Sequence, residues 1–192
     1  MGPAFLLKEN NSLKIIKSKI SSIECEIKQF KQALLIAQAK TIDLKEKMID
    51  SLSKEEMKIY DAHLEILKDP ELEEKTINFI KTNSCNADYA IHLVTAEYTK
   101  ILNELEDPYI SARADDIIML SRMLILILQK KAENKITLNT PSIIVANTIT
   151  TNQLSSIDTS LVLGIITSHG GPTDHAAILS KALGIPSLVG LA

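Results

Sequence analysis

The chain has 192 residues, 45% hydrophobic and 23% charged, a composition that suits one large or two small globular domains and excludes a disordered chain. Its formal net charge of −3 gives no support for nucleic-acid binding, which wants a basic face. Met1 is followed by only a short apolar run, 4–7, with no secretory signal pattern, and the longest later apolar stretch, 123–128, is too short to span a bilayer. Aromatic residues are 4% with no Trp, so the core must be aliphatic. Cys25 and Cys85 fit no metal-ligand spacing. They are expected to be reduced, partly buried thiols of a cytoplasmic protein.

Ala4–Lys8 reads as a strand. From about Leu13 the chain turns rich in Lys, Glu, Leu and Ile at helical spacing. Ser21 with Glu24 has the form of a capping box, followed by Ile23, Ile27, Phe30, Leu34 and Ala37 on one face. Ser53 with Glu56 repeats the box before Met57, Tyr60, Leu64 and Leu67. Asp69-Pro70 and Asp107-Pro108 each pair an N-cap with proline at the first helical position. Ala87, Ile91, Val94, Tyr98, Ile101 and Leu105 mark one further helix, and Ala114, Ile117, Leu124 and Leu128 another. Five helices in an up-and-down bundle are predicted.

After about Ile136 the pattern changes to short β-branched runs. Ser142–Ala146 and Leu161–Thr167 read as buried strands, Thr173–Leu183 as a helix closed by Gly184, and Ile185–Val189 as another extended run. Strands alternating with a helix predict an α/β layer. The fold class is therefore α/β with an all-α insert: residues 1–12 and 136–192 form the α/β part and residues 13–135 the helical part.

One segment carries specific chemistry, Ser168-His-Gly-Gly-Pro-Thr-Asp-His175. A strand ends at Thr167, two glycines turn the chain, and Pro172 fits the first turn of a helix, which places His175 at the helix start. Free backbone N–H groups and the positive end of the helix dipole favour a phosphoryl group there. Gly170 and Gly171 would let a phosphate approach the backbone. A neutral imidazole can attack phosphorus through one ring nitrogen while the other keeps its proton. His169 is read as shaping the loop and His92 as a surface residue. No third ligand at metal spacing accompanies His169 and His175, so no metal is expected there.

Gly170-Gly171-Pro172-Thr173-Asp174-His175-Ala176-Ala177-Ile178-Leu179-Ser180, followed by Gly184-Ile185-Pro186-Ser187-Leu188-Val189-Gly190, resembles the phosphohistidine signature of the PEP-utilising enzymes, usually Gly-Gly-x-Thr-Ser-His. The helical block points to the Enzyme I branch of that family. Ile59–Leu72 is similar to its Phe-x-x-His-x-x-Met-Leu-x-Asp-x-x-Leu pattern, and Arg113-Ala-Asp-Asp116 to its Arg-Ala-x-Asp element.

The resemblance implies a swivelling phosphohistidine subdomain, C-terminally truncated here, with an inserted helical subdomain that docks the phosphocarrier HPr. It implies His175 as the phosphorylated residue, Thr150 as its hydrogen-bonding partner, and Gly170, Gly171 and Thr173 around the phosphate. It implies His63, Leu64, Leu67 and Arg113 on the docking surface. The function implied is phosphoryl transfer from phosphoenolpyruvate to HPr in sugar uptake. Alternatives are an Enzyme I-like segment of a nitrogen-regulatory or dihydroxyacetone-kinase phosphotransferase, or a partner-binding relic. Phosphoenolpyruvate, Mg²⁺ and dimerisation belong to a C-terminal domain outside this sequence, so the chain alone is expected to need no cofactor and not to use phosphoenolpyruvate. Three departures stand out: Asp174 in place of Ser, Thr151 in place of Pro, and Glu65 in place of an apolar residue.

Overall fold

The computed structural model describes residues 3–7, 13–104, 108–131, 136–171 and 174–191; at residues 108, 109, 111 and 112 it describes the backbone alone. The elements in order are β1 (Ala4–Leu6), α1 (Ile23–Lys47), α2 (Lys54–Leu67), α3 (Pro70–Asn83), α4 (Ala87–Asn103), α5 (Pro108–Leu128), β2 (Ser142–Ala146), α6 (Thr151–Ser155), a 3₁₀ turn (Thr159–Leu161), β3 (Val162–Thr167), α7 (His175–Ala182) and β4 (Ser187–Leu188). The chain is thus a helical block between the first and second strands of a small parallel sheet.

Two compact units divide the residues. One comprises 1–12, 43–60 and 134–192, the other 13–42 and 61–133. Residues 43–60, counted with the helices on their helical spacing, group instead with the sheet. The reason is packing: Leu52 and Ile59 join the apolar core of the sheet unit. The buried Tyr60 hydroxyl lies 2.7 Å from Ser155 Oγ. Ser155 Oγ itself donates to the Thr151 carbonyl at 2.7 Å, so the phenol is the donor in this pair. Burial pushes the phenol's pKa up.

The sheet has order β1-β2-β3-β4, all parallel. Its register sets the two faces. Phe5, Ile144 and Ile165 share one face and join Leu154, Leu179 and Ile185 in the core of this unit. Leu6, Val145, Ile166 and Leu188 form a row across all four strands on the other face, with Leu6 and Leu188 exposed. Helix α7 ends as a Schellman motif. Ile185 N–H donates to the Ser180 carbonyl and Gly184 N–H to that of Lys181, with Gly184 at φ +69°.

In the helical unit, Phe30, Leu34, Leu67, Leu72, Ile80, Ile91, Leu120 and Leu124 make an aliphatic core. Asp69 caps α3 by accepting the Glu71 amide at 2.9 Å, with Pro70 at the first position. The start of α1 differs from expectation. Ser22, not Ser21, accepts the Cys25 amide (3.2 Å), because Ile23 already has helical geometry. Ile101 is half-exposed and so lies off the buried stripe of α4. Leu105 and Asp107 lie outside the described residues. Cys85 is buried, as expected for a reduced thiol, but Cys25 is exposed on α1.

The Ser53–Glu56 box at the start of α2 forms as the sequence predicts. Ser53 N–H donates to Glu56 Oε2 at 2.8 Å and Glu56 N–H to Ser53 Oγ at 3.3 Å. The Ser53 amide and hydroxyl hold the Glu56 carboxyl below its ordinary 4.5. A depressed carboxyl contributes stability that is complete above that ordinary value and lost as pH falls through the folded one. Glu56→Gln should therefore flatten part of the acid limb of a Tm profile recorded between pH 5 and pH 3. In the sheet core, Leu179→Ala should cost about 2–5 kcal/mol in urea denaturation, since Leu179 is fully buried.

Candidate functional site

Parallel strands deliver their C-terminal ends to one edge of a sheet, and the loops there are the usual ligand sites of α/β layers. Here that edge carries the segment after β2, Asn147–Thr150, and the segment after β3, Ser168–Asp174. The two run together past the strand ends. Ser168 N–H donates to the Ala146 carbonyl at 3.1 Å, and His169 N–H to that of Asn147 at 3.0 Å. Ser168 Oγ adds a bond to Asn147 Oδ1 at 3.1 Å and lies 3.0 Å from His169 Nδ1. The exposed His169 thus takes part in holding the loop, the role the sequence assigned it.

Gly170 turns the chain at φ +110°, a conformation essentially closed to residues with a side chain. A second constraint acts from the C-terminal segment. Gly190 sits at φ +73°, and a Cβ there would come within 2.9 Å of the Gly170 carbonyl oxygen. Leu191 N–H donates to the Thr167 carbonyl at 3.3 Å, which ties that segment to the end of β3.

His175 is the first residue of α7 and is half-buried. The helix begins two residues later than its spacing suggests, with Asp174 as N-cap. Pro172 and Thr173, read as the first turn and as a phosphate contact, lie outside the described residues. Asp174 does not cap α7 with its side chain. Its carboxylate turns back instead and accepts the Gly171 amide at 2.8 Å. Its own N–H donates to the Gly171 carbonyl at 3.1 Å, so the turn is closed from both directions. A small cavity beside the loop is lined by Thr148, Thr167, His169, Gly170, Asp174 and Ser180, among others.

Thr150 stands at the N-cap of α6, a helix not anticipated from the sequence. Its Oγ1 accepts the Gln153 amide at 3.1 Å, and its N–H donates to Gln153 Oε1 at 3.0 Å. This reciprocal box fixes the Thr150 rotamer through Gln153, a residue that sequence reasoning did not single out. The signal was present, since Thr150-x-x-Gln153 has the capping-box form.

The docking residues inferred for the helical unit divide. His63 is buried with Nε2 3.1 Å from Asp116 Oδ1, and Leu67 is a core residue at 2% exposure. Leu67 packs into the core of the helical unit, so its side chain is not open to a docking protein, which differs from the expectation for it, whereas His63 is paired with Asp116. Leu64 and Arg113 are half-exposed, and Arg113 Nη2 lies 3.7 Å from Glu65 Oε2. Among the described residues no helix is long and apolar enough to cross a membrane.

Comparison with known proteins gives one consistent family. The profile for the PEP-utilising enzyme N-terminal region matches residues 1–113, and that for the PEP-utilising enzyme mobile domain matches residues 138–192. The chain is similar to the phosphoenolpyruvate-protein phosphotransferase of Mycoplasma capricolum subsp. capricolum, 34% identical over 98% of this chain and 33% of that protein. It spans about a third of the length of the curated relatives it matches. Its fold is that of the solution structure of Enzyme I (nEIt), with TM-score 0.78, 34% identity, and coverage of 99% of this chain and 77% of the other. The N-terminal domain of Enzyme 1 – Nitrogen shares the fold at TM-score 0.71 and 21% identity, over 98% of this chain and 77% of that one.

Two glycines provide a direct check of the loop geometry. Gly170→Ala should destabilise by more than about 1 kcal/mol, since it combines a forbidden φ with a Cβ 2.6 Å from Asp174 Oδ2. Gly184→Ala, with nothing within 4 Å of its added Cβ, should cost only the left-handed strain of about 1 kcal/mol. Chemical denaturation of both variants measures the difference.

Proposed function

Because the chain belongs to the PEP-utilising enzyme family, we propose that it carries phosphoryl groups on His175, in the cytoplasm, between phosphoenolpyruvate and an HPr-like phosphocarrier protein of the sugar phosphotransferase system. The observation that carries this reading is the placement of His175. It stands at the first position of α7, straight after a glycine turn, on the loop edge of a parallel sheet. That is where backbone amides and the helix dipole favour an incoming phosphoryl.

In the proposed reaction the neutral ring attacks phosphorus in line as the donor bond breaks, and the phosphohistidine then passes the group on in a second transfer. Gly170 and Gly171 leave room for the phosphoryl oxygens. Thr150, held by its box with Gln153, accepts the remaining ring N–H and sets the tautomer. The phosphoenolpyruvate site and its Mg²⁺ belong to a domain outside this sequence. The carrier docks on the helical unit around Leu64 and Arg113, where the exposed Glu65 makes the patch more polar than the family pattern.

The test is incubation with radiolabelled phosphoenolpyruvate, catalytic full-length Enzyme I and HPr. Acid-labile label should appear on the wild-type chain and be absent from His175→Ala; equal labelling of the two would overturn the assignment. Thr150→Val should lose about 1 kcal/mol of stability with the α6 cap yet remain folded, and slow transfer roughly tenfold, the cost of one lost hydrogen bond in the transition state. Rapid-quench labelling reads that rate.

A further inference from the structure

The two features of the glycine turn that suit a phosphoryl group are both occupied in this structure, and by a group of the same chain. The Gly171 amide is bonded to Asp174 Oδ2 at 2.8 Å. The bare face of Gly170 is covered by the same oxygen, since a Cβ there would meet it at 2.6 Å. A carboxylate and a phosphoryl group are both anionic acceptors with the same demand on a backbone N–H, and one amide cannot serve both at full strength.

We propose that Asp174 is a resident anion of the phosphate turn: its carboxylate holds the Gly171 amide while His175 is unphosphorylated and is displaced when the phosphoryl arrives. Asp174 is thereby a positioning residue that sets how far His175 is loaded and how readily it discharges. This inference rests on the phosphohistidine reading of His175.

Three consequences follow from the chemistry. The Gly171 amide stays paired in the resting state, because the carboxylate satisfies a donor that would otherwise face water or nothing. Loading exchanges one charge-assisted bond for another instead of adding one, so the net gain on phosphorylation is small. The displaced carboxylate also remains close in sequence to a doubly charged group and repels it, which favours onward transfer. Serine, the family's usual residue at this position, lacks the charge to do this.

The test uses phosphoramidate, a carrier-independent phosphoryl donor. Its P–N bond breaks as the imidazole nitrogen bonds to phosphorus, and ammonia leaves and takes up a proton. Asp174→Asn keeps an acceptor for the Gly171 amide and an N-cap residue for α7 but removes the charge. Asp174→Ser supplies the usual residue. Both should raise the equilibrium occupancy of phosphohistidine at His175 about tenfold at limiting donor and lengthen its lifetime by a similar factor. In ¹⁵N-labelled wild type the Gly171 amide resonance should shift on phosphorylation. Equal occupancy and lifetime in wild type and Asp174→Asn, with label confirmed on His175, would overturn the role of Asp174 and leave the phosphohistidine reading intact. Absence of label on His175 in wild type and both variants would overturn that reading and the inference with it. A melting temperature that falls in Asp174→Asn without any change in occupancy would mark Asp174 as purely structural and overturn the proposal.

Discussion

The parallel pairing of β2 with β3 is the constraint on which the site depends. Ile144 opposite Ile165, Val145 opposite Ile166 and Ala146 opposite Thr167 bring the two strand ends level. The pairing continues into the loops through Ser168 and His169, so Asn147–Thr150 and Ser168–Asp174 reach the edge of the sheet as one bonded unit. An antiparallel arrangement would send one of these loops to the opposite edge. With Leu179 of α7 and Leu154 of α6 packed in the same apolar core as Ile144 and Ile165, both short helices are fixed to that frame. The catalytic proposal thus rests on a rigid scaffold with chemistry confined to its loops, the usual division of labour in α/β layers.

Where local signals were strong, the sequence was legible. The strand at Ser142–Ala146, the Ser53–Glu56 box, the Asp69-Pro70 start of α3 and the glycine close of α7 each have one local cause, and each stands where the pattern put it. His175 at a helix start was legible for the same reason. Failures arose where tertiary context decides. Nothing local to residues 43–60 says which core their apolar side chains enter. Helical spacing identifies an apolar face on α2, but it cannot tell a docking face from a packing face, and Leu67 belongs to the second kind. Helix α6 is five residues long, below the length at which periodicity carries information.

Asp174 illustrates a different limit. A carboxylate beside a phosphate-accepting histidine looks adverse on charge alone, and sequence gives the charge without its direction. The structure supplies the direction: the carboxylate faces the Gly171 amide and the bare Gly170 backbone. A residue that departs from a motif can therefore be integrated into the same turn, here by a charge-assisted bond to its carboxylate.

The two cysteines differ in a way that turns the molecule into its own stability gauge. Cys25 lies open on α1, whereas Cys85 sits in the core of the helical unit, where burial pushes its thiol pKa up. An alkylating reagent therefore meets Cys25 at the rate of any surface thiol, but meets Cys85 only in the fraction of molecules whose helical core is momentarily apart. The ratio of the two modification rates converts directly into an opening equilibrium for that unit, obtained in native buffer without denaturant or an engineered probe.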